Sequence, residues 1–438
     1  AILILLMLGL AFAARDQDLM KSPLPGCPET AFKQYSGYLN IDQEKDFHYV
    51  LVESQNNPST DPVVFWFNGG PGCSSMIGFI QEHGPCAFLE DSDHAPSENP
   101  YSWNKFANMV YLESPAGVGF NHFSGKFHYD DENVSYENLK AVQQFFGAFP
   151  EFRSNDLYLT GESYGGIYIP YLALRIDEFN QNATNDEQIN LKGFGIGNGV
   201  TNWKYDTAPA FIKMGFTHGL ISLDLYNRIN DADCDFAEMG APPLSNECHR
   251  LSHEFNEAVA HIYPYDIYRP TEDYYQVTPQ KSVSDLLRLE SDADTSVPYA
   301  SFSRLVRNNV KKSSNDFSAV NKFMNDDATK TALNVPTDYF WSECSNIDYS
   351  MLEKATQWIY PLLKGKYRMM HYSGDTDGVV PTIGTEQWMD DLGWTITEPR
   401  SAWMSEPRLL GGYTQKREGS LDFITIHGCG HMAPQWKR

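Results

Sequence analysis

The chain has 438 residues, 42% of them hydrophobic, enough to bury one large α/β core with an insertion, or two domains. Its 33 basic and 57 acidic residues give a net charge of −24, which argues against nucleic acid or an anionic membrane surface as a partner. That acidity serves solubility and also suits an acidic compartment, where part of the charge is neutralised.

Residues 1–18, AILILLMLGLAFAARDQD, form an apolar run that ends in small residues at Ala11-Phe12-Ala13-Ala14. The run is too short to span a bilayer and charge follows at once, so residues 1–14 read as a secretory signal lacking its start. No later run is long enough for a transmembrane helix, so no membrane anchor is expected and the mature protein should be lumenal or secreted. Seven cysteines in that setting imply disulfides, with at least one cysteine left over. Asn133-Val134-Ser135 and Asn182-Ala183-Thr184 are glycosylation sequons.

Residues 34–53 alternate aromatic and β-branched residues around a polar turn and predict an antiparallel hairpin. Residues 62–68, PVVFWFN, predict a buried strand running into Gly69-Gly70-Pro71-Gly72-Cys73-Ser74-Ser75. Residues 107–112, ANMVYL, predict another, ending in ESPAGVGF. Helical spacing of Leu139, Val142, Phe145 and Phe146 predicts a helix over 133–149. A short strand at Leu157 and Leu159 then turns sharply at Gly161 and enters an apolar helical run over 164–174. Residues 189–196 predict a further strand.

The rhythm breaks after Gly199. Residues 202–334 are polar, with helical pieces over 223–229 and 252–261, and residues 270–313 are the least regular of the chain. Strands resume at 367–372, running into Ser373-Gly374-Asp375-Thr376-Asp377-Gly378, and at 421–426, running into His427-Gly428-Cys429-Gly430-His431-Met432. Strands alternating with helices, with glycine-rich loops at strand ends, predict a mostly parallel sheet flanked by helices. The expected division is a core over 28–201 and 335–438, interrupted by a largely helical cap over 202–334.

Gly161-Glu162-Ser163-Tyr164-Gly165 is a G-x-S-x-G motif between a strand and a helix, the context in which such a serine is a strained, exposed nucleophile. Standing alone the motif is common, and its plainer reading is a glycine-rich turn. Three strand ends together present a serine, an aspartate pair and a histidine, the chain order of α/β-hydrolases. The serine needs a base for its proton, and the base needs a carboxylate to orient it. His431 lies on a loop after the last strand and can reach back; His427, at the strand end, reads as a packing histidine. Asp375 and Asp377 compete for the acid, and one of them is expected to anchor the turn through its own backbone.

The blocks WFNGGPGCSS, ESPAGVGF, GESYGG, SGDTDGVVP and GCGHMAP, in that order, resemble the signature blocks of the serine carboxypeptidases, from near Gln34 to the C-terminus. The resemblance implies the α/β-hydrolase fold and a peptidase that releases C-terminal residues. It implies Ser163 as nucleophile, His431 as base, Asp377 as orienter, and an oxyanion hole from the backbone N–H groups of Gly70 and Tyr164. Recognition of the substrate's terminal carboxylate maps to Trp66, Asn68, Gly69, Glu82 and Glu162, with the two acids sharing protons. From the residues alone, Glu82 in MIGFIQEHGP reads as a solvated helix residue.

Met432 is implied as a wall of the leaving-residue pocket, which favours apolar C-terminal residues. The resemblance also implies disulfides Cys73–Cys344 and Cys234–Cys248, and leaves Cys27, Cys86 and Cys429 open, with Cys429 either paired to Cys86 or a free thiol. No cofactor and no metal are expected. Family members that transfer acyl groups to alcohols offer an alternative activity. A homodimer, or association with lysosomal glycosidases that some members stabilise, is an additional role the resemblance allows. Relatives continue past the catalytic histidine into a closing helix, so the sequence is expected to be a fragment at both ends.

Overall fold

The computed structural model describes residues 16–89, 95–269 and 315–437. The expected signal segment and the irregular stretch over 270–313 lie outside the described residues.

A single twisted sheet organises the chain. Besides the short strand His122–Phe123, which pairs with β2, its main strands are β1 (Gln34–Asn40), β2 (Lys45–Val52), β3 (Val63–Phe67), β4 (Asn108–Leu112), β5 (Leu157–Glu162), β6 (Leu191–Gly197), β7 (Arg368–Gly374), β8 (Ile396–Glu406), β9 (Leu409–Arg417) and β10 (Leu421–Ile426). They lie in the order β1-β2-β4-β3-β5-β6-β7-β10-β9-β8. From β4 to β10 every neighbouring pair is parallel, and the two margins are antiparallel. The predicted hairpin over 34–53 is the β1–β2 margin.

The central strand β3 is apolar and buried along its whole length because both of its faces are covered. In β3, Val63, Phe65 and Phe67 enter one core, and Val64 and Trp66 the other. The first core receives helix α1 (Asp131–Ala148) through Val142, Phe145 and Phe146, and helix α2 (Gly165–Asn180) through Ile167, Ile169 and Leu172. The second is closed by Phe79, Met324 and Trp341.

Several boundaries differ from the sequence expectation, each for a local reason. Helix α1 begins at Asp131 because Asp130 and Asn133 form a reciprocal cap. β5 runs through Glu162, so the sharp turn falls at Ser163 and not at Gly161. Gly161 serves close approach instead: a Cβ there would lie 2.2 Å from the Phe67 carbonyl oxygen of the adjacent strand.

Three helices follow β6: α3 (Ala208–Thr217), α4 (Leu223–Asp231) and α5 (Asn246–Val259). They bury a separate cluster around Phe211, Leu225, Leu251 and Phe255. α5 starts at Asn246, ahead of the expected 252, because the Ser245 hydroxyl accepts from Cys248 N and caps it. The chain returns through α6 (Asn315–Met324) and α7 (Asp327–Ala332). α8 (Thr382–Asp391) links β7 to β8, and α9 (Ala433–Trp436) follows His431.

Three disulfides are formed. Cys73–Cys344 and Cys234–Cys248 pair as expected, and Cys27 bonds to Cys86. The Cys86–Cys429 alternative is therefore set aside, and Cys429 is a buried free thiol.

Candidate active site

The parallel strands end in register. Phe67 of β3 stands beside Gly161 of β5, Glu162 beside Gly197 of β6, Gly197 beside Tyr372 of β7, and Gly374 beside Ile426 of β10. The loops that follow β3, β5, β6, β7 and β10 therefore gather at one edge, where α/β sheets place their sites.

Ser163 sits on the β5–α2 elbow with φ +60, a left-handed conformation that a serine rarely adopts. Its backbone is fixed from three sides: Ser163 N donates to Gly197 O at 3.0 Å, and Ser163 O accepts from Gly166 N and Val200 N, each at 3.0 Å. Strain held by surrounding bonds at a strand end is a mark of a functional residue. Helix α2 starts immediately after Tyr164, so its positive end faces the elbow.

Gly69 passes directly against this elbow. A Cβ on Gly69 would lie 2.4 Å from Tyr164 N and 2.7 Å from Ser163 Cβ. The glycine-rich loop after β3 is thus brought beside the nitrogen that follows the serine. Gly70, at φ +115, continues that loop.

The two candidate acids hold different histidines. Asp377 is fully buried, and its Oδ2 lies 2.7 Å from Nδ1 of the buried His431. Asp377 also accepts from Val379 N at 2.7 Å, Val380 N at 3.1 Å and Asn198 Nδ2 at 2.9 Å. Those donors fix the orientation of the carboxylate, which draws the Nδ1 hydrogen of His431 toward itself. That leaves His431 Nε2 as the basic nitrogen. Asp375 accepts from Gly428 N at 2.7 Å and contacts the exposed His427 Nδ1 at 2.8 Å. It anchors the neighbouring loop at the surface.

The residues implied for carboxylate recognition are also brought together. Asn68 Nδ2 donates to Glu82 Oε1 at 3.1 Å and to Glu162 Oε1 at 3.0 Å. Asn68 Oδ1 accepts from Trp66 Nε1 at 2.8 Å and Gly78 N at 2.9 Å. Glu82 closes a π-helical turn (Gly78–Glu82) and is fully buried, contrary to its plain reading as a solvated helix residue. Burial pushes the Glu162 carboxyl well above the ordinary range. The Glu82 charge and Asp377 raise it further, against the lowering effect of Asn68. Two carboxyls buried together cannot both ionise cheaply, which favours the protonated form of Glu162.

A family-wide sequence comparison matches residues 25–438 to the serine carboxypeptidase family. This chain is a serine carboxypeptidase. The carboxypeptidase is 33% identical to the mouse lysosomal protective protein over 464 aligned residues, covering 98% of this chain and 94% of that protein. It is also 33% identical to serine carboxypeptidase-like 21 of Arabidopsis thaliana, covering 100% and 95% of the two chains. A prohormone-processing carboxypeptidase from Saccharomyces cerevisiae shares the fold with a TM-score of 0.72 at 20% identity, covering 97% of this chain and 94% of that one. The carboxypeptidase is accordingly a peptide hydrolase on an α/β-hydrolase fold.

Several neighbours of the site in the carboxypeptidase escaped the sequence reading. Asn198, at φ +40 after β6, donates to Asp377 and accepts from Gly374 N at 3.0 Å. Its signal was available, since it follows a parallel strand and is flanked by glycines. Tyr265 packs its ring 5.1 Å from His431, and its carbonyl accepts from His431 N at 2.7 Å. Nothing in the polar stretch after residue 202 marks it. Glu343 receives a hydrogen bond from Gln81 Nε2 at 3.2 Å and keeps part of its surface open. Its surroundings are still dense enough that lost hydration pushes it up to about 8.

Met432 is buried at the start of α9. The Asn133 side chain is engaged in the α1 cap, whereas Asn182 is exposed just past the end of α2. Among the described residues no cluster of potential metal ligands is present, and no helix is long and apolar enough to cross a membrane.

Proposed function

We propose that this carboxypeptidase releases C-terminal residues, apolar ones by preference and at acidic pH, through an acyl-enzyme on Ser163. The Ser163 hydroxyl attacks the carbonyl carbon of the last peptide bond while His431 Nε2 takes its proton. Asp377 holds the imidazole and stabilises its charged form. The N–H groups of Gly70 and Tyr164 receive the oxyanion. The C–N bond then breaks as His431 returns the proton to the leaving amine. Water, activated by the same histidine, hydrolyses the ester on Ser163.

The observation that carries this reading is the Asn68 amide shared between Glu82 and Glu162, next in sequence to the nucleophile. Buried acids that keep a proton donate hydrogen bonds to a carboxylate, and Trp66, Asn68 and Gly69 complete that pocket. A carboxylate site beside an acylating serine suits an exopeptidase. It also favours peptides over the acyl-transfer alternative, whose substrates carry no such group at that position. Residues 202–334 are read as a cap over the site, and Met432 as a wall of the leaving-residue pocket.

The disulfides, the acidity and the apolar N-terminal run support a place in the secretory pathway, as a lysosomal or secreted enzyme with glycans on Asn133 and Asn182. Association with a glycosidase, or a homodimer, rests on resemblance alone; co-purification and a sizing profile test it.

Ser163→Ala tests the central claim. Hydrolysis of a peptide should vanish with the fold retained, and a serine-directed phosphonate should label Ser163 of the wild type. Labelling at another residue, or activity above the roughly 10³- to 10⁴-fold over water that a site without its triad retains, would refute it.

A further inference from the structure

Beneath the loop that follows β3 lies a set of buried charged and polar groups that the triad does not use. His48 on β2 and Glu113 at the end of β4 are both fully buried, with His48 Nδ1 2.9 Å from Glu113 Oε2. The same oxygen accepts from Phe120 N at 2.8 Å. The other, Oε1, accepts from the Ser74 hydroxyl. On its far side, His48 Nε2 lies 2.9 Å from Ser36 Oγ, and that hydroxyl donates to Leu333 O at 2.5 Å.

Each ring nitrogen of His48 has a buried partner. Nε2 faces the Ser36 hydroxyl, whose hydrogen goes to the Leu333 carbonyl, and Nδ1 faces Glu113 Oε2. The Tyr38 and Phe120 rings pack at 5.5 and 5.6 Å, and the Asp18 carboxyl lies nearby. A buried histidine–carboxylate pair is a poor source of stability compared with apolar packing, so its presence calls for another account.

Ser74 supplies one. It belongs to the turn that carries Gly69 and Gly70, and it is bonded on every side. Its oxygen accepts from Trp341 Nε1 at 2.9 Å and Met76 N at 3.1 Å, and its N–H donates to Glu343 O at 2.8 Å. The turn is tied to itself by Cys73 N to Gly69 O at 3.1 Å and by Asn68 N to Ser75 Oγ at 3.2 Å. Room for the carboxylate is reserved opposite: a Cβ on Gly119 would lie 1.6 Å from Glu113 Oε1.

We propose that the buried His48–Glu113 pair holds the oxyanion-hole loop in its working shape through the Ser74 hydroxyl, making both positioning residues for hydrolysis. The proposal rests on reading Gly70 as an oxyanion donor. A donor that is misplaced weakens only the transition state, so the loss falls on kcat and leaves KM alone.

Glu113→Gln and Ser74→Ala in the full chain test it. Glutamine keeps the shape but cannot accept from His48, Phe120 and Ser74 together. Ser74→Ala leaves the His48–Glu113 pair in place and removes its link to the loop, together with the oxygen that accepts from Trp341 Nε1 and Met76 N. Each variant should lose about tenfold or more in kcat at unchanged KM, within the roughly 10²- to 10³-fold that deleting an oxyanion donor costs. A peptide aldehyde, which forms an oxyanion on Ser163, should bind more weakly by the same factor, with product peptide binding unchanged. A folded Ser74→Ala protein with wild-type kcat and aldehyde affinity overturns the proposal, and it decides the matter if Glu113→Gln does not fold. A phosphonate should still label Ser163 in both variants; a label elsewhere would overturn the nucleophile assignment instead.

Discussion

Asp377 and His431 meet at 2.7 Å in a setting closed to solvent, and the carboxylate that makes this contact is held by three further donors. Two positions earlier, Asp375 makes a comparable contact with His427, which is largely exposed. The geometry ranks the two acids. Asp377→Asn should lower kcat by about 10⁴, because the imidazole loses its working tautomer. Asp375→Asn removes an exposed pair worth little and should change kcat only slightly. Steady-state kinetics on one peptide decides, and a larger loss in Asp375→Asn than in Asp377→Asn would show that the wrong acid was chosen.

Peptide binding should weaken as pH rises from acid through neutrality. The substrate's terminal carboxylate is ionised throughout, so the enzyme must supply the proton. Burial and the Glu82 charge hold the Glu162 carboxyl above the ordinary range, so the pair donates at acidic pH and repels once it ionises. KM for a peptide should climb with pH, while KM for its C-terminal amide stays flat. Glu82→Gln combined with Glu162→Gln should flatten the peptide curve. The same raised value has a stability consequence. The folded state favours the protonated pair, so its contribution is full below the ordinary carboxyl range and is lost as pH rises through the folded value. The double variant should therefore keep its Tm between mildly acidic and neutral pH better than the wild type.

Met432 directly follows the base and is buried at the head of α9. If it lines the leaving-residue pocket, peptides ending in Leu or Phe should show higher kcat/KM than peptides ending in Lys or Arg. Met432→Glu should reverse that order. A wild-type enzyme that already prefers Lys or Arg would assign the pocket wall to other residues.

Cys429 should resist chemistry in the native protein. It is buried beside Tyr372 and Ala433, and burial pushes its thiol up to about 12. A thiol held so far above neutral offers almost no thiolate. Iodoacetamide should leave the folded protein unmodified and alkylate one cysteine, Cys429, after unfolding without reductant. Labelling of Cys27 or Cys86 under those conditions would contradict the Cys27–Cys86 bond.

The sequence made the centre of this fold readable and left its margins obscure, for one reason. β3 and β4 are sandwiched between two cores, so they carry long apolar runs, and β5 shows its apolar residues at Leu157 and Leu159. The β8–β9 hairpin went unseen because β8 is exposed along nearly its whole length, so neither an apolar run nor an alternation marks it. Ser163, Asp377 and His431 stood out because each lies on a glycine-rich loop after a strand. Glu82 was not legible from its own surroundings: its partners are Asn68 and Glu162, far away in the chain, and a π-helical turn hides the direction of its side chain. The His48–Glu113 pair was hidden in the same way, since one histidine in a strand looks like any other.

The Cys73–Cys344 bond joins positions 271 residues apart. A backbone cut anywhere between them yields two polypeptides that remain one covalent molecule. Were the cut to fall beyond α2, Ser163 would belong to one polypeptide and Asp377 and His431 to the other. The β6–β7 pairing would still hold the two halves of the sheet edge to edge if the cut came after β6. Such a nicked enzyme would run as a single band on a gel without reductant and as two bands with it. Loss of activity would then follow the separation of the halves, not the cut.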